Sequence, residues 1–168
     1  ALEIELFRGR FEPAVAAGLV AEVDAVVDCS DNFATRFLAA DAAFLGRKPL
    51  VSAAAVRLAA TIVSAGPEGA PCYRCLFEDL PEGDAPDCAT AGVVPMVCGV
   101  AGGVAADHLL SIFAGDTSRL GVVTSFDALR DRLRTVRVPA RQDCALCGER
   151  RIVALEEERY LAAEGCSA

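Results

Sequence analysis

The chain contains no tryptophan, one methionine, one histidine and two tyrosines in 168 residues. A single imidazole, His108, leaves few routes to histidine-based catalysis, and its place on an apolar helix face between Asp107 and Leu109 reads as structural. No GxGxxG opens the chain; Gly99, Gly102 and Gly103 stand in the wrong context, inside a late helix, so no glycine-rich phosphate cradle is evident. Excess positive charge is also missing. A net charge of −8 argues against nucleic acid or an anionic membrane as the partner. Charge is absent from Ala89 to Ala106, a length at which a spanning helix becomes conceivable, yet Pro95 and four glycines interrupt it. Close helix packing in a soluble α/β core is the expected explanation. No signal peptide is seen, and eight cysteines without one favour a reducing, cytoplasmic location. The chain opens with Ala1 straight into LEIELF, which reads as an interior strand and suggests that a longer protein begins upstream.

The length suits one domain with a real core. Its first half alternates: a strand over Leu2–Phe7, a short helix over Pro13–Glu22, an apolar strand at Asp24–Asp28, a helix to about Leu45 and a strand beginning PLVSAA. Such a βαβ series predicts a parallel sheet with right-handed crossovers. The second half adds strands at Ala59–Ser64, Gly121–Phe126 and Arg132–Val138, and a mostly helical stretch from Val93 to Ala114. The expected fold is therefore α/β, a mostly parallel sheet continued by a zinc-clamped C-terminal part with added strands. Residues 1–148 form the domain, and residues 149–168 a tail read as an exposed helix or a frayed end. There is no internal repeat or low-complexity segment.

Four cysteines sit in two CxxC pairs, Cys72/Cys75 and Cys144/Cys147, each beside turn-forming residues. Two such pairs supply the four ligands of a closed tetrahedral zinc site, against the plainer alternative of buried or disulfide-linked cysteines. A closed site leaves no position for substrate, so it would clamp the fold. Candidate chemistry lies elsewhere. The segment DAVVDCSDN ends a strand with Ser30, Asp31 and Asn32 at the carboxyl edge of a parallel sheet, where such folds bind ligands. A carboxylate there can hold Mg²⁺ on a nucleotide's phosphates, or Ser30 or Asp31 can simply cap the next helix. Cys88, in a polar loop before a helix, is the candidate nucleophile, although Asp87 beside it works against a thiolate. Cys29, Cys98 and Cys166 read as buried or incidental thiols. Arg57 could reach an anion or serve as a solvated strand edge.

Taken in order, VVDCSDNFATRFLAADAAFLGRKPLVSAA, PCYRCLF, DCATAGVVP, GGVAADHLLSIFAG, FDALRDRLRTVRV and DCALCG resemble the ThiF/MoeB/HesA family of ubiquitin-activating-enzyme-like adenylyltransferases, over residues 1–148. The resemblance implies a Rossmann-like α/β fold and ATP·Mg²⁺-dependent adenylation of the C-terminal glycine of a ubiquitin-like sulfur carrier ending in Gly-Gly, on the way to thiamine, molybdopterin or related sulfur products. It implies Asp31 as the Mg²⁺ partner with Asn32 at the phosphates, Cys72, Cys75, Cys144 and Cys147 as zinc ligands, and Cys88 as the cysteine that links to the activated carrier or relays sulfur. A homodimer is the family's habit. Two departures stand out. The family's glycine loop and phosphate-binding Arg and Lys belong to an N-terminal half not found here, so this chain alone is expected to be inactive. Members often read SGAxxRxxGQ where this chain has SAAAVRLAAT, Ser52 to Thr61, which puts carrier-tail contacts in doubt. A non-catalytic, zinc-stabilised scaffold or partner subunit is the alternative.

Overall fold

The computed structural model describes residues 3–69, 71–81 and 91–161. Five strands form one sheet in the order β1 (Val26–Asp28), β2 (Leu50–Val56), β3 (Ala59–Ala65), β4 (Val122–Asp127) and β5 (Arg132–Arg137). β1 and β2 pair in parallel, joined by the helix α2 (Phe33–Leu45). The β2–β3, β3–β4 and β4–β5 pairs are antiparallel. The Rossmann-like α/β expectation holds, but its parallel part is narrower than the alternation implied, and the added strands make up most of the sheet.

Local chemistry explains α2. Asn32 takes an extended conformation and its side chain accepts a hydrogen bond from the Thr35 N–H, closing the first turn. At the other end Arg47 takes the left-handed conformation, and the Lys48 N–H bonds back to the Ala43 carbonyl at 2.8 Å. Gly46 lets α1 (Pro13–Ala21) approach closely: a Cβ there would meet Val20 Cγ1 at 2.8 Å. Phe37 and Leu38 of α2 are fully enclosed, each contributing about 1.5–3 kcal/mol by burial.

The sheet separates two apolar layers. On one face Phe37, Leu38 and Ala42 of α2 pack with Ala16, Val20, Val63, Ala65 and Tyr73, the last from the short helix α3 (Tyr73–Leu76). On the other face α4 (Pro95–Phe113) lays Val97, Ala101 and Ala105 against Val51, Ala53, Ala60 and Ile62. Buried positions four residues apart along α4 define one contact face. α4 is long and apolar enough to cross a membrane by length and composition, and it lies along β2 and β3. Its packing runs through Val97, Ala101 and Ala105 and not through its glycines: a Cβ at Gly99, Gly102 or Gly103 would meet nothing within 4 Å. They lie off the helix's contact face.

Two further expectations are corrected. Within Leu2–Phe7, residues 3–7 form no strand, and Ile4 and Leu6 are 73% and 77% exposed. Among the described residues no neighbouring strand pairs with this segment, so its alternating pattern has no ladder to join. The tail is also more involved than a frayed end: Ile152 and Tyr160 are buried, the latter in a 3₁₀ turn at Glu157–Tyr160.

Candidate functional site

β1 ends on Asp28, which is buried and whose carboxylate is fully used. Oδ1 accepts hydrogen bonds from the Ser30 N–H (3.0 Å) and hydroxyl (2.6 Å), and Oδ2 from the Ser52 hydroxyl (2.7 Å). Arg36, in the first turn of α2, donates to the Ser30 carbonyl and to Ser52 Oγ at 3.3 Å, with Asp28 Oδ2 3.6 Å away. A buried guanidinium and carboxylate thus pin the turn between β1 and α2 from beneath.

Above them the next two polar residues face solvent. Asn32 is the helix cap, which settles the choice left open between Ser30 and Asp31: Ser30 is committed to Asp28, and Asp31 caps nothing. Asp31 is exposed, its Oδ1 touched only by Asn32 Nδ2 at 3.3 Å among the recorded hydrogen bonds. An exposed carboxylate at the carboxyl end of a parallel strand offers hard oxygen ligands suited to Mg²⁺. It borders a pocket of about 130 Å³ whose lining includes Asn32, Arg36, Ser52, Tyr73 and Phe77.

The departures at Ser52–Thr61 fall on different faces of the sheet. Ala53 and Ala60 project into the apolar layer beneath α4. Thr61 lines the pocket and pairs with Ala54 of β2. Only Thr61, where family members often carry Gln, alters the pocket wall.

The four CxxC cysteines are free thiols brought together from segments 72 residues apart. Cys72 Sγ lies 3.5 Å from Cys144 Sγ and Cys75 Sγ 3.3 Å from Cys147 Sγ. All four sulfurs fall within 4.8 Å of one another. A tetrahedral zinc with bonds of about 2.3 Å asks for sulfur separations near 3.8 Å, so the set fits such a metal. These gaps exceed the roughly 2.05 Å of a disulfide, which removes the cross-linked alternative. The Arg141 N–H donates to Cys75 Sγ at 3.4 Å, and both the Gly148 and Glu149 N–H groups close on the Cys144 carbonyl. Gly148 is required there because a Cβ would run into the Gln142 carbonyl. Burial pushes the Cys72 thiol up and, with Cys75, Cys147 up to about 11. Burial also opposes ionisation of Cys144, but the Cys147 and Leu146 N–H groups outweigh it and bring that thiol down to about 7.

The two residues between Cys72 and Cys75 reach into the α/β part. Arg74 makes a forked contact with Asp41 of α2, Nε to Oδ1 at 2.8 Å and Nη2 to Oδ2 at 2.9 Å, and Asp41 Oδ2 also accepts from the Tyr160 hydroxyl at 2.9 Å. The same guanidinium lies 4.8 Å from the Phe37 ring centroid. Tyr73 stacks edge-on to Phe37 at 5.4 Å and lies 5.0 Å from Phe77. Arg36, Ser52 and Tyr73 were not singled out from sequence as parts of this site. The signals that could have marked them are an arginine in the first turn of an otherwise apolar helix, and a polar serine inside a buried strand.

The remaining candidates do not join the pocket. His108 is buried under the opposite sheet face, Nδ1 2.7 Å from Ser64 Oγ, and burial followed by Arg119 lowers its pKa. It is a structural histidine, as its helix face suggested. Arg57 sits exposed at the β2–β3 turn, its N–H bonded to the Gly92 carbonyl and its own carbonyl accepting from Val94. Cys29 and Cys98 are exposed, not buried: one lies in the turn after β1, the other off the contact face of α4. Cys88 and Cys166 lie outside the described residues.

A sequence model of the family described as "ThiF family" matches residues 1–147. The chain is 42% identical over 153 residues to the adenylyltransferase and sulfurtransferase MOCS3 of Sus scrofa, covering 89% of this chain and 34% of that protein. It is 34% identical over 168 residues to the SAMP-activating enzyme E1 of Haloferax volcanii, covering 99% of this chain and 61% of that one. The chain thus spans between a third and two thirds of these relatives. Among solved structures, E. coli MccB with MccA-N7isoASN shares the fold at a TM-score of 0.67 and 16% identity, over 87% of this chain and 46% of that one.

Proposed function

We propose, from the premise that this chain belongs to the ThiF family, that it serves ATP-dependent adenylation of the C-terminal glycine of a ubiquitin-like sulfur carrier. The observation that carries this reading is the exposed Asp31 carboxylate, set at the pocket by a turn that the buried Asp28 and Arg36 hold from beneath. The names of the relatives, an adenylyltransferase and sulfurtransferase and a SAMP-activating enzyme, support the same reaction class.

In this reaction a carboxylate oxygen of the carrier bonds the α-phosphorus of ATP, the α–β phosphoanhydride bond breaks, and pyrophosphate leaves with the electron pair. The nucleophile is already ionised, so no general base is needed and a neutral, distant His108 is no obstacle. What the reaction needs is alignment and charge neutralisation. Asp31 would hold Mg²⁺, which when bound neutralises the phosphate oxygens, with Asn32 beside it at the phosphates. Asn32 fixes the start of α2, whose N-terminal end adds partial positive charge beside that site. Arg36 keeps the turn in place from below.

One Zn²⁺ on Cys72, Cys75, Cys144 and Cys147 completes the reading as a structural clamp, with four sulfurs leaving no open position. Cys88 would act after adenylation, in a covalent carrier adduct or sulfur relay toward thiamine, molybdopterin or a related product. The protein is taken to work as a cytoplasmic homodimer. The test is carrier-dependent ATP–pyrophosphate exchange by the full-length protein. Asp31→Ala should lower exchange by about 10²–10³-fold, the loss of one charge-stabilising group, at unchanged metal content and melting temperature. Near-parental exchange by that variant reduces Asp31 to a loop residue. Failure of the parent with Gly-Gly-ending carriers leaves the non-catalytic scaffold.

A further inference from the structure

We propose that the outer half of the four-cysteine knuckle is a reversible oxidation site: hydrogen peroxide converts Cys75 and Cys147 into a disulfide and so expels the metal. It rests on the zinc clamp and is independent of the adenylation reaction. The sulfurs are unevenly placed. Their close approaches run between the two segments, Cys75 Sγ to Cys147 Sγ at 3.3 Å and Cys72 Sγ to Cys144 Sγ at 3.5 Å, and no such contact is recorded within either CxxC pair. Access separates the two approaches. Cys72 and Cys144 are 5% and 2% exposed, sealed in a cluster with Leu146 and Ile152, whereas Cys147 packs half-buried at the edge of that cluster. A small oxidant therefore reaches the Cys147 sulfur first, and the thiol in contact with it is Cys75 of the other segment.

The electrons balance with one peroxide. The Cys147 thiolate attacks one peroxide oxygen: an S–O bond forms, the O–O bond breaks, and the other oxygen leaves as water after taking a proton from solvent. The Cys75 thiolate, whose sulfur accepts from the Arg141 N–H at 3.4 Å, then attacks the Cys147 sulfur. The S–S bond forms, the S–O bond breaks, and a second water leaves with a second solvent proton. Two thiolates have lost two electrons and one peroxide has gained them. Closing from 3.3 Å to the roughly 2.05 Å of a disulfide takes a shift of about 1 Å, within reach of side-chain rotation. Cys72 and Cys144 remain as the knuckle's only thiolates, too few for a closed four-sulfur site, so Zn²⁺ leaves. The new bond spans the same two segments that the metal spanned, 72 residues apart, and a dithiol reverses it by exchange.

The test uses the full-length, zinc-loaded protein and reads metal and linkage, not turnover. After a small molar excess of hydrogen peroxide, a chromogenic chelator should detect release of about one equivalent of zinc. Alkylation, trypsin digestion and fragment-ion mass spectrometry should then find Cys75 joined to Cys147. Cleavage after Arg74 separates Cys72 from Cys75, so the two possible cross-links are told apart. Dithiothreitol with added zinc should restore the parental metal content. Cys147→His replaces the half-buried thiol with another zinc ligand and should release zinc at least about tenfold more slowly. Should that variant bind no zinc, the parental cross-link alone decides. A first cross-link at Cys72–Cys144 or within one CxxC pair, or equal release rates in parent and Cys147→His, overturns the inference. So does zinc retained at a peroxide dose that oxidises the exposed Cys29 and Cys98. A parent that holds no zinc overturns the inference together with the clamp, whatever its carrier-dependent exchange.

Discussion

The pocket edge and the four-cysteine knuckle use polar groups in opposite ways. At the knuckle the ligand atoms turn inward: four sulfurs face one another, the Arg141 N–H donates to Cys75 Sγ, and Leu146 and Ile152 pack with the cysteines. At the pocket edge the inward groups are just as well satisfied, with Asp28 engaged on both oxygens. Yet three residues later Asp31 stands exposed with one weak contact. A donor set that closes on itself can hold a fold together but has nothing left for a substrate. A carboxylate left open above a rigid, satisfied turn is placed at little reorganisation cost.

The hardest way to break this contrast is to open the knuckle. Cys144→Ser should lose the metal and with it on the order of 10 kcal/mol of metal-coupled folding free energy, read as loss of about one equivalent of zinc and of the cooperative melting transition. A variant that melts like the parent would show that the cysteines do not hold the fold. Next comes the bridge between the regions. Asp41→Ala leaves Arg74 buried without its carboxylate and should cost about 3–5 kcal/mol in denaturant unfolding, while the zinc content of the folded protein is kept.

A smaller change separates the two roles of the turn. Asn32→Ala should cost about 1 kcal/mol of stability through the lost cap, whereas Asp31→Asn should leave stability unchanged and affect exchange alone. If both variants lose stability equally, Asp31 belongs to the architecture and the contrast fails at its centre. The smallest effect concerns pH. His108 has its pKa lowered by burial and then by Arg119, so the unfolded chain binds a proton that the folded chain refuses. Its contribution is therefore present above the unfolded value of about 6.5 and is lost as pH falls through the folded value. Melting temperature should drop between neutral pH and pH 5 in the parent and fall less in His108→Gln. Equal slopes would remove His108 from the account.

Legibility followed the range of the interactions. The strands β2 to β5, the helix α2 and the zinc-type pairing of cysteines were readable because apolar runs, cap residues and CxxC spacing are local signals. Leu2–Phe7 misled because a strand needs a neighbour, and no local pattern records whether one is there. Asn32 and not Ser30 or Asp31 caps α2 because Asp28 captures Ser30, a contact two residues back that propensity ignores. That Ala53 and Ala60 face α4 and Thr61 the pocket is set by the sheet pleat and by which helix covers each face.

By itself the sequence determined which residue types were available: one imidazole, two CxxC pairs, an Asp-Asn after an apolar strand, and a net charge of −8. These follow from composition and short-range spacing, which no packing can change. Only the tertiary structure decided that Tyr73 and Arg74, adjacent in one knuckle, reach different partners on α2, one edge-on to Phe37 and the other onto Asp41. It alone decided that Asp28 is spent and Asp31 is free. The physical reason is that satisfaction of a polar group depends on what is folded against it: Ser52 reaches Asp28 from 24 residues away and Tyr160 reaches Asp41 from 119.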